Sequence, residues 1–324
     1  MNQLSSGRDL LLMSGTLMSS PADAYSYIKL TNPAAYSSFQ MFKNIHVAEE
    51  DFWGQPKKWQ NLELMQANLN LRRVRRTKEE VHSALPKANF IPIYYDLPKA
   101  HKELYTQLMN EQLLILDNGR KIDATTANAL YHAAQQIISS WGYYAGDETL
   151  VPRVYELIDE LCDSIDLGGH DLDGNPSSKL ILWTQYKRTS RGLLAHMDAK
   201  AKKLGGYATA AFSEVDTRAM VRKFMGDPKA LSLVAQPASA GAGLNPQAFC
   251  WECGFVETPT RTIHFTQAAG RIDRKGQRFN PNIRIYIAKG TVQERLFQNL
   301  LSNDDLVTKA SGTAKGIRSL IFPD

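Results

Sequence analysis

The sequence predicts an α/β fold, and three observations support this prediction. From residue 179 onward, short apolar runs alternate with amphipathic segments over short connections. Such alternation is typical of a parallel sheet covered by helices. Residues 99–165 instead repeat their apolar side chains at helical spacing, as Leu104 and Leu108 illustrate. A turn-rich stretch at 166–178 lies between the two regions and is the best candidate for a linker.

The predicted elements are short and follow one another closely along the chain. The early apolar run "LLLM" at 10–13 has the character of a buried strand, although such a strand needs neighbours that are not obvious in this sequence. A turn at 14–16 and a brief helix ending near Pro33 come next. The later candidate strands are "NFIPIYYDL", "KLILWT", "GYATAAF", "ALSLVA", "FCWECGF" and "IRIYIA". The helices among and after them include "RTSRGLLAHMDAKAKKL", "SEVDTRAMVRKFM" and "TVQERLFQNLL".

Composition restricts the class of protein. The 324 residues are 43% hydrophobic and 22% charged, which is ordinary for a globular protein. A net charge of +5 permits binding to a polyanion without establishing it. Three cysteines cannot build a disulfide framework, and no apolar run is long enough for a signal peptide or a membrane span. We expect a cytoplasmic protein, in the host-cell cytoplasm if the chain is viral.

The stretch "QAAGRIDRKGQ" places Gln267, Arg271 and Arg274 at positions i, i+4 and i+7. On a helix these positions form one stripe, which a core helix would fill with apolar side chains. Arginine suits bidentate contact with phosphate, and an arginine directed at a transferring γ-phosphoryl group accelerates the transfer. The alternative is a solvated helix face with scattered arginines. The sequence contains no G-x-x-x-x-G-K-[ST] phosphate loop.

Two further groups of residues follow predicted strands, where open α/β sheets bind ligands. Ser239, Gly241, Gly243 and Asn245 come after "ALSLVA"; glycines there permit close approach to phosphate or nucleic acid, but a plain tight turn explains them equally well. A second group, which comes after "KLILWT", consists of Lys187, Arg188 and Arg191. Phosphate contacts by such residues give affinity without sequence preference and weaken with salt.

The densest basic run and the cysteines have simpler alternatives. The run at 72–78 is interpreted either as a nucleic-acid contact or as a solvated or lobe-contacting face. Cys250 and Cys253 have a spacing that metal sites use, but the chain has no second cysteine pair. We therefore expect core cysteines and predict no metal site within the chain.

The order and wording of these segments resemble the C-terminal part of SNF2-family ATPases, within helicase superfamily 2. The resemblance is carried by "LLMSGTLMSSPADAYSYIKLTNP" for motif III, "RRTKEEVHSALPK", "KLILWTQYKRTSRGL" for motif IV, "SAGAGLN" for motif V and "QAAGRIDRKGQ" for motif VI. The ordered set covers nearly the whole chain. It departs from the family at motif Va, where Thr258 and Pro259 replace most of the usual residues around Trp-Asn-Pro.

This resemblance implies a RecA-like parallel sheet flanked by helices, which is the second lobe of a helicase, plus a helical protrusion and the tail of a first RecA-like lobe. The expected division is 1–98 for the first-lobe remnant, 99–166 for the protrusion and 167–324 for the second lobe. In the family, ATP lies between the lobes, and the phosphate loop and D-E-x-H box precede motif III. We therefore expect the partner to be a first-lobe polypeptide that carries both and binds most of the ATP and Mg²⁺.

The resemblance also implies roles for individual residues. Arg271 and Arg274 would neutralise charge on the γ-phosphate, with Gln267 orienting them. The residues expected to bind ATP or couple it to DNA are Gly15, Thr16, Gly241, Gly243 and Asn245. The residues expected to contact the backbone of DNA, which the resemblance implies is double-stranded, are Lys187, Arg188, Arg191 and Ser239. Two alternatives stay open: a half-motor that only binds DNA or a partner, and a fragment of a superfamily 2 RNA helicase.

Overall fold

The computed structural model describes residues 11–14, 18–52, 54–76, 80, 85–115, 121–147, 149–170, 174, 176–240, 244–311 and 317–321. Contacts divide the chain into two compact units. The first unit consists of the described residues within 1–83, 261–263 and 299–324, and the second of those within 84–260 and 264–298. Every predicted site residue that the structure describes belongs to the second unit.

The first unit contains short helices and one antiparallel ribbon. Its elements are α1 (Asp23–Thr31), α2 (Phe39–His46), β1 (Val47–Glu50), β2 (Pro56–Trp59) and α3 (Leu62–Asn70). Ile28, Phe42 and Met65 are fully buried at the centre of its core. The helix predicted to end near Pro33 is confirmed, since α1 ends at Thr31.

The early apolar run differs from the prediction. Residues 11–14 form no strand, and Leu11 and Met13 are 82% and 85% exposed. A parallel strand is stable only beside a neighbour, and no described residue pairs with this segment. The prediction of a buried strand is therefore wrong for residues 11–13. The predicted turn residues Gly15 and Thr16 lie outside the described residues.

The second unit is built on a six-stranded sheet. Its elements in chain order are β3 (Asn89–Tyr95), α4 (Lys99–Glu111), β4 (Leu113–Ile115), β5 (Lys121–Asp123), α5 (Ala127–Ser139), α6 (Trp141–Ala145), α7 (Arg153–Ser164), β6 (Leu180–Trp183), α8 (Lys187–Lys203), β7 (Tyr207–Ala211), α9 (Thr217–Gly226), β8 (Ala230–Ala235), β9 (Glu252–Phe255), α10 (Thr262–Ala269), β10 (Asn282–Ala288) and α11 (Val292–Ser311). The contact division assigns the first residues of α10 and the last part of α11 to the first unit, and α12 (Ile317–Ile321) with them.

All six strands of this sheet run parallel, in the order β3-β10-β9-β6-β8-β7. The central strands β6, β8 and β9 are buried at every position, as expected for a sheet that helices cover on both faces. The predicted fold class, a RecA-like parallel sheet flanked by helices, is confirmed.

The strand at Asn89–Tyr95 shows that the units divide differently from the expected domains. β3 pairs with β10 over its whole length, from Asn89 opposite Asn282 to Tyr95 opposite Ala288. These residues were expected in the first-lobe remnant at 1–98, yet they complete the sheet formed by the later strands. Pro92 is tolerated in β3 because an edge strand leaves one side of its backbone unpaired.

The helical character of 99–165 is confirmed, with one exception. α4 ends at Glu111, where Gln112 adopts a left-handed conformation, and β4 then pairs with β5. The helices α4, α5 and α7 bury their apolar faces in the same core as the sheet, through residues such as Leu108, Ile137 and Ile158. None of the described helices combines the length and apolar character that a membrane span requires.

Candidate functional site

Polar loops meet at the carboxyl edge of the sheet because all its strands are parallel. The loop after β8 is joined to the loop after β6 by the Gln236 side-chain amide, which donates to the Gln185 carbonyl over 2.9 Å. Ser239 lies half-buried in the turn that follows, and its backbone N–H donates to the Gln236 carbonyl over 3.0 Å. The two loops predicted to contact DNA are therefore neighbours.

Helix α8 begins at this edge, and a buried carboxylate holds its first turn. Glu257, which follows β9, accepts the backbone N–H groups of Gln185 and Tyr186 at 2.6 and 3.1 Å. Its other oxygen accepts the hydroxyls of Thr189, at 2.7 Å, and Ser139. One carboxylate thus connects β9, the start of α8 and the end of α5.

Sequence reasoning missed Glu257, although it lies in the "CGFVETPTRT" segment that departs from the family. The available signal was a single acidic residue directly after an apolar strand. Burial raises the pKa of Glu257, while its four hydrogen-bond donors oppose that rise. The N-terminus of α8 further favours an anion at this position.

Lys187 and Arg191 lie one turn apart on α8 and share an acidic partner. Arg191 donates from both Nε and Nη2 to one carboxylate oxygen of Glu214, at 2.7 and 2.6 Å. The Lys187 ammonium is 3.6 Å from the other oxygen. Hydrogen bonding from Arg191, with the charge of Lys187, lowers the pKa of Glu214. Sequence reasoning did not identify Glu214.

Arg188 lies on a different face of α8 from this pair. Its guanidinium carbon is 3.0 Å from the centroid of the Tyr143 ring, a cation–π contact with α6. The Nε atom of Arg188 is buried and has no hydrogen-bond partner among the described residues. The structure therefore separates Arg188 from Lys187 and Arg191, which were predicted to act with it.

The motif VI residues do not share one regular helix, in contrast to the prediction. α10 ends at Ala269, so it contains the exposed Gln267 but neither arginine. The chain continues in tighter turns, in which the Arg271 N–H donates to the Ala268 carbonyl over 3.1 Å. Gly270 explains the end of the helix, since glycine is a poor helix former. Arg271 and Arg274 thus project from a turn.

Arg274 contacts a residue that the sequence assigned to the same site. Its Nη1 donates to the side-chain oxygen of Asn245 over 2.5 Å. A second link runs between the same loops, from the Gln247 amide to the Lys275 carbonyl over 3.3 Å. Burial lowers the pKa of Arg271, and the charge of Arg274 lowers it further. Arg271 and Arg274 therefore form one cationic cluster, and Asn245 is hydrogen-bonded to Arg274 in it.

The glutamine of the Gly-Gln tail anchors this turn. Gln277 is buried, and its amide nitrogen donates to the carbonyls of Cys250 and Ile272 at 3.1 and 2.9 Å. Its oxygen accepts the backbone N–H groups of Arg278 and Phe279 at 3.0 and 3.2 Å. The bonds to Ile272, Arg278 and Phe279 are local to the arginine turn, whereas the bond to Cys250 ties this turn to the residues that precede β9.

The remaining predicted residues either lie outside the described part of the chain or have a structural role. Gly241 and Gly243, like Gly15 and Thr16, lie outside the described residues. Cys250 and Cys253 are buried free thiols, as expected of core cysteines. No group of histidine, cysteine and carboxylate side chains in the described part of the chain is arranged to hold a metal ion.

Residues 1–139 match the family model of the SNF2-related domain. The solved Sulfolobus solfataricus SWI2/SNF2 ATPase core domain is similar over 91% of this chain, with 18% identity and a TM-score of 0.51. The same archaeal core in complex with dsDNA is similar over 88%, with 20% identity and a TM-score of 0.48. This chain spans 58% of the length of each of these two structures.

The separate C-terminal domain of the Sulfolobus solfataricus ATPase is similar over 72% of this chain and 92% of its own length, with 15% identity and a TM-score of 0.46. Among curated protein sequences, none matches this chain significantly. The fold assignment rests on the archaeal core domain and on the parallel sheet itself. Residues 1–139, fewer than half of the 324, are thus similar to the SNF2-related domain, and the chain shares the fold of the archaeal core domain.

Proposed function

We propose that this chain is the C-terminal part of a DNA-dependent ATPase motor of the SNF2 type. In this proposal Arg271 and Arg274 reach the γ-phosphate of ATP, and the residues at the start of α8 contact the DNA backbone. The observation that carries the proposal is the hydrogen bond from Arg274 to Asn245, which joins the arginine turn to the loop after β8. The same loop carries Ser239 at the carboxyl edge of the sheet.

The cationic cluster suits catalysis by electrostatic stabilisation. Phosphoryl transfer needs positive charge placed in advance where negative charge develops. Asn245 fixes one end of the Arg274 guanidinium, which lowers the entropy that this side chain would lose on binding phosphate. Gln277 holds the turn from behind. Gln267, at the end of α10, would then complete the set by orienting the bound phosphate or the arginines.

ATP and Mg²⁺ would be held mainly by a first lobe with a phosphate loop and a D-E-x-H box, since the 324 residues contain no phosphate loop. We propose that residues 1–98, without β3, are the remnant of that lobe. Residues 99–166 would be the protrusion and 167–324, joined by β3, the second lobe. The motif III residues Gly15 and Thr16 and the glycines Gly241 and Gly243 keep their proposed coupling role.

The test is a reconstituted complex of this chain with a first-lobe polypeptide. Arg274→Ala is expected to lower kcat for DNA-stimulated ATP hydrolysis by about 10³-fold or more, the range found for arginines that contact a transferring phosphoryl group. DNA affinity should stay within about threefold, because phosphate contacts at α8 are retained. Arg278→Ala is the matched control, since Arg278 is an exposed arginine in the same segment.

A large loss of DNA affinity in Arg274→Ala would instead assign this arginine to the DNA surface. Unchanged hydrolysis would leave a binding module as the better description. Asn245→Ala adds a second measurement: if Asn245 acts through Arg274, it should have little effect in the Arg274→Ala background. Stimulation by duplex DNA, single strands and RNA, measured side by side, separates a DNA motor from an RNA helicase.

A further inference from the structure

Lys187, Arg191 and Glu214 form an exposed ion-pair group at the start of α8. Both Nε and Nη2 of Arg191 donate to one oxygen of Glu214, and the Lys187 ammonium is 3.6 Å from the other. The side chains of Lys187 and Arg191 are 57% and 66% exposed, and that of Glu214 is 30% exposed. Solvent and ligands can therefore reach the two cations beside the carboxylate.

The carboxylate has the position that a phosphate would take between these cations. Lys187 and Arg191 are four residues apart on a helix, so their side chains lie on one face and converge on a single anion. Side-on pairing by a guanidinium, assisted by an ammonium, is also how proteins hold phosphate oxygens. The two cations thus make a site for an oxyanion, and Glu214 provides the oxyanion in the structure.

Glu214 can leave this position without disturbing the helix. It belongs to the turn between β7 and α9, whereas the cations belong to α8. Exposed ion pairs contribute little to stability, because solvent screens them and their side chains lose entropy when they pair. A nucleic-acid phosphate, which carries the same charge, can therefore replace the carboxylate.

We propose that Lys187 and Arg191 form a subsite for a backbone phosphate of DNA, and that Glu214 occupies this subsite in the free protein and competes with DNA for it. The inference rests on the proposed function, because it assumes that the start of α8 faces DNA. To the proposed function it adds an acidic residue, Glu214, whose replacement by a neutral residue strengthens DNA binding. Glu214 then sets the affinity of the motor for DNA low enough for the phosphate contact to be released and remade.

The experiment measures binding of the whole chain to a fluorescently labelled duplex by anisotropy over a range of salt concentrations. Glu214→Gln keeps the size of the side chain and removes its charge. We expect it to bind about twofold to fivefold more tightly at low salt, in line with the small free energy of an exposed ion pair. The dependence of log K on log salt should steepen by about 0.9, the value for one additional neutralised phosphate.

Asp163→Asn is the matched control. Asp163 pairs with Lys200, at the other end of α8, over 2.6 Å and is 71% exposed. It removes the same charge beside Lys200, which lies about 13 Å along α8 from Arg191; the two variants are compared at physiological salt, where the screening length of about 8 Å is shorter than this distance. We expect its affinity for the duplex to equal that of the unaltered chain. In a Lys187→Ala/Arg191→Ala background, Glu214→Gln should lose its effect.

Weaker or unchanged binding by Glu214→Gln would overturn the inference and make Glu214 a residue that positions the two cations. An equal gain from Asp163→Asn would also overturn it, since the gain would then follow net charge. These outcomes leave the proposed function intact if the unaltered chain binds DNA. Failure of both the unaltered chain and Glu214→Gln to bind at low salt would refute DNA binding at α8 and the inference with it. Thermal unfolding of each variant checks that the fold is retained.

Discussion

Glu257 is a carboxylate with no exposed surface, and its four donors come from the end of α5 and the start of α8. A buried carboxylate is stable only when hydrogen bonds replace the water it has lost. Two of the donors are backbone N–H groups at the start of α8, where the helix dipole also favours negative charge. The orientation of the first turn of α8, and hence of Lys187 and Arg188, therefore depends on this one side chain.

We predict that Glu257→Ala lowers the free energy of unfolding by about 3 kcal/mol or more, since it leaves several buried donors unsatisfied. Glu257→Gln should lower it by about 1–2 kcal/mol, because the amide oxygen still accepts the backbone N–H groups. Urea denaturation measures both. Glu156→Gln, which alters an exposed carboxylate paired with Arg153, is the control and should change stability by less than about 0.5 kcal/mol. Equal effects at the two glutamates would contradict this role for Glu257.

The effect of pH on the stability that Glu257 contributes has a definite sign. Burial raises the pKa of Glu257 above its ordinary value of 4.5, so the folded chain binds this proton more tightly than the unfolded chain does. The stability contributed by this protonation is present below pH 4.5 and is lost as pH rises through the folded pKa. The unfolding free energy of the unaltered chain, measured relative to that of Glu257→Gln, should therefore decrease as pH rises through the folded pKa of Glu257.

At the scale of elements, α4 and α5 are held together by a buried histidine. The His101 ring stacks on Trp141 at 4.9 Å, and its Nε2 donates to the Ile137 carbonyl over 2.8 Å. Its Nδ1 is buried and has no partner among the described residues, so a proton there would be poorly solvated. Burial lowers the pKa of His101 to about 4. The packing of these helices therefore requires a neutral imidazole.

We predict that the stability of the second unit falls as pH decreases from 6.5 to about 4, because the unfolded chain binds a proton that folded His101 excludes. The full loss is about 3 kcal/mol from the size of this pKa shift. His101→Gln retains a donor for Ile137 and does not titrate, so its stability should vary less over that range. His170→Gln, at an exposed histidine, is the control. Parallel pH profiles for the unaltered chain and His101→Gln would refute the assignment.

Elements that leave a local pattern could be predicted from the sequence, whereas elements that depend on a distant partner could not. The runs "KLILWT", "ALSLVA" and "IRIYIA" form strands as predicted, because continuous burial in a parallel sheet leaves a local pattern. The same pattern at "LLLM" is misleading, since a strand also needs a neighbour that local sequence does not reveal. The hairpin of β4 and β5 was missed because α4 ends at Gln112 in an unusual left-handed conformation.

The candidate site was predictable only in part, for a related reason. The residue types Asn245, Arg271 and Arg274 are visible in the sequence, and their proximity agrees with the resemblance. Helical spacing wrongly extended α10 through both arginines, because periodicity does not register where a helix ends. Glu214 and Glu257 act on partners far away in the sequence, so no local pattern distinguishes them from other acidic residues.

At the scale of the whole molecule, the sequence contains Arg271 and Arg274, which we propose contact ATP, but no phosphate loop. We predict that the purified 324-residue chain hydrolyses no ATP above background, because positioning by both lobes supplies most of the catalysis in such motors. A coupled assay with duplex DNA measures this activity with and without a first-lobe polypeptide. Activity should appear only in the mixture. Robust DNA-stimulated hydrolysis by the chain alone would refute the dependence on a first-lobe polypeptide.

The pairing of β3 with β10 limits where this chain can be divided. β3 covers all seven residues of β10, four of which, Ile285–Ala288, are fully buried in succession. A cut between Tyr95 and Lys99 would separate the second unit from its own edge strand. It would leave the apolar strand β10 with unpaired backbone N–H and C=O groups, which are a template for intermolecular strand addition. Any soluble fragment that represents the second unit must therefore begin before Asn89. The turn-rich stretch at 166–178, which is the linker candidate in the sequence, lies well after that point.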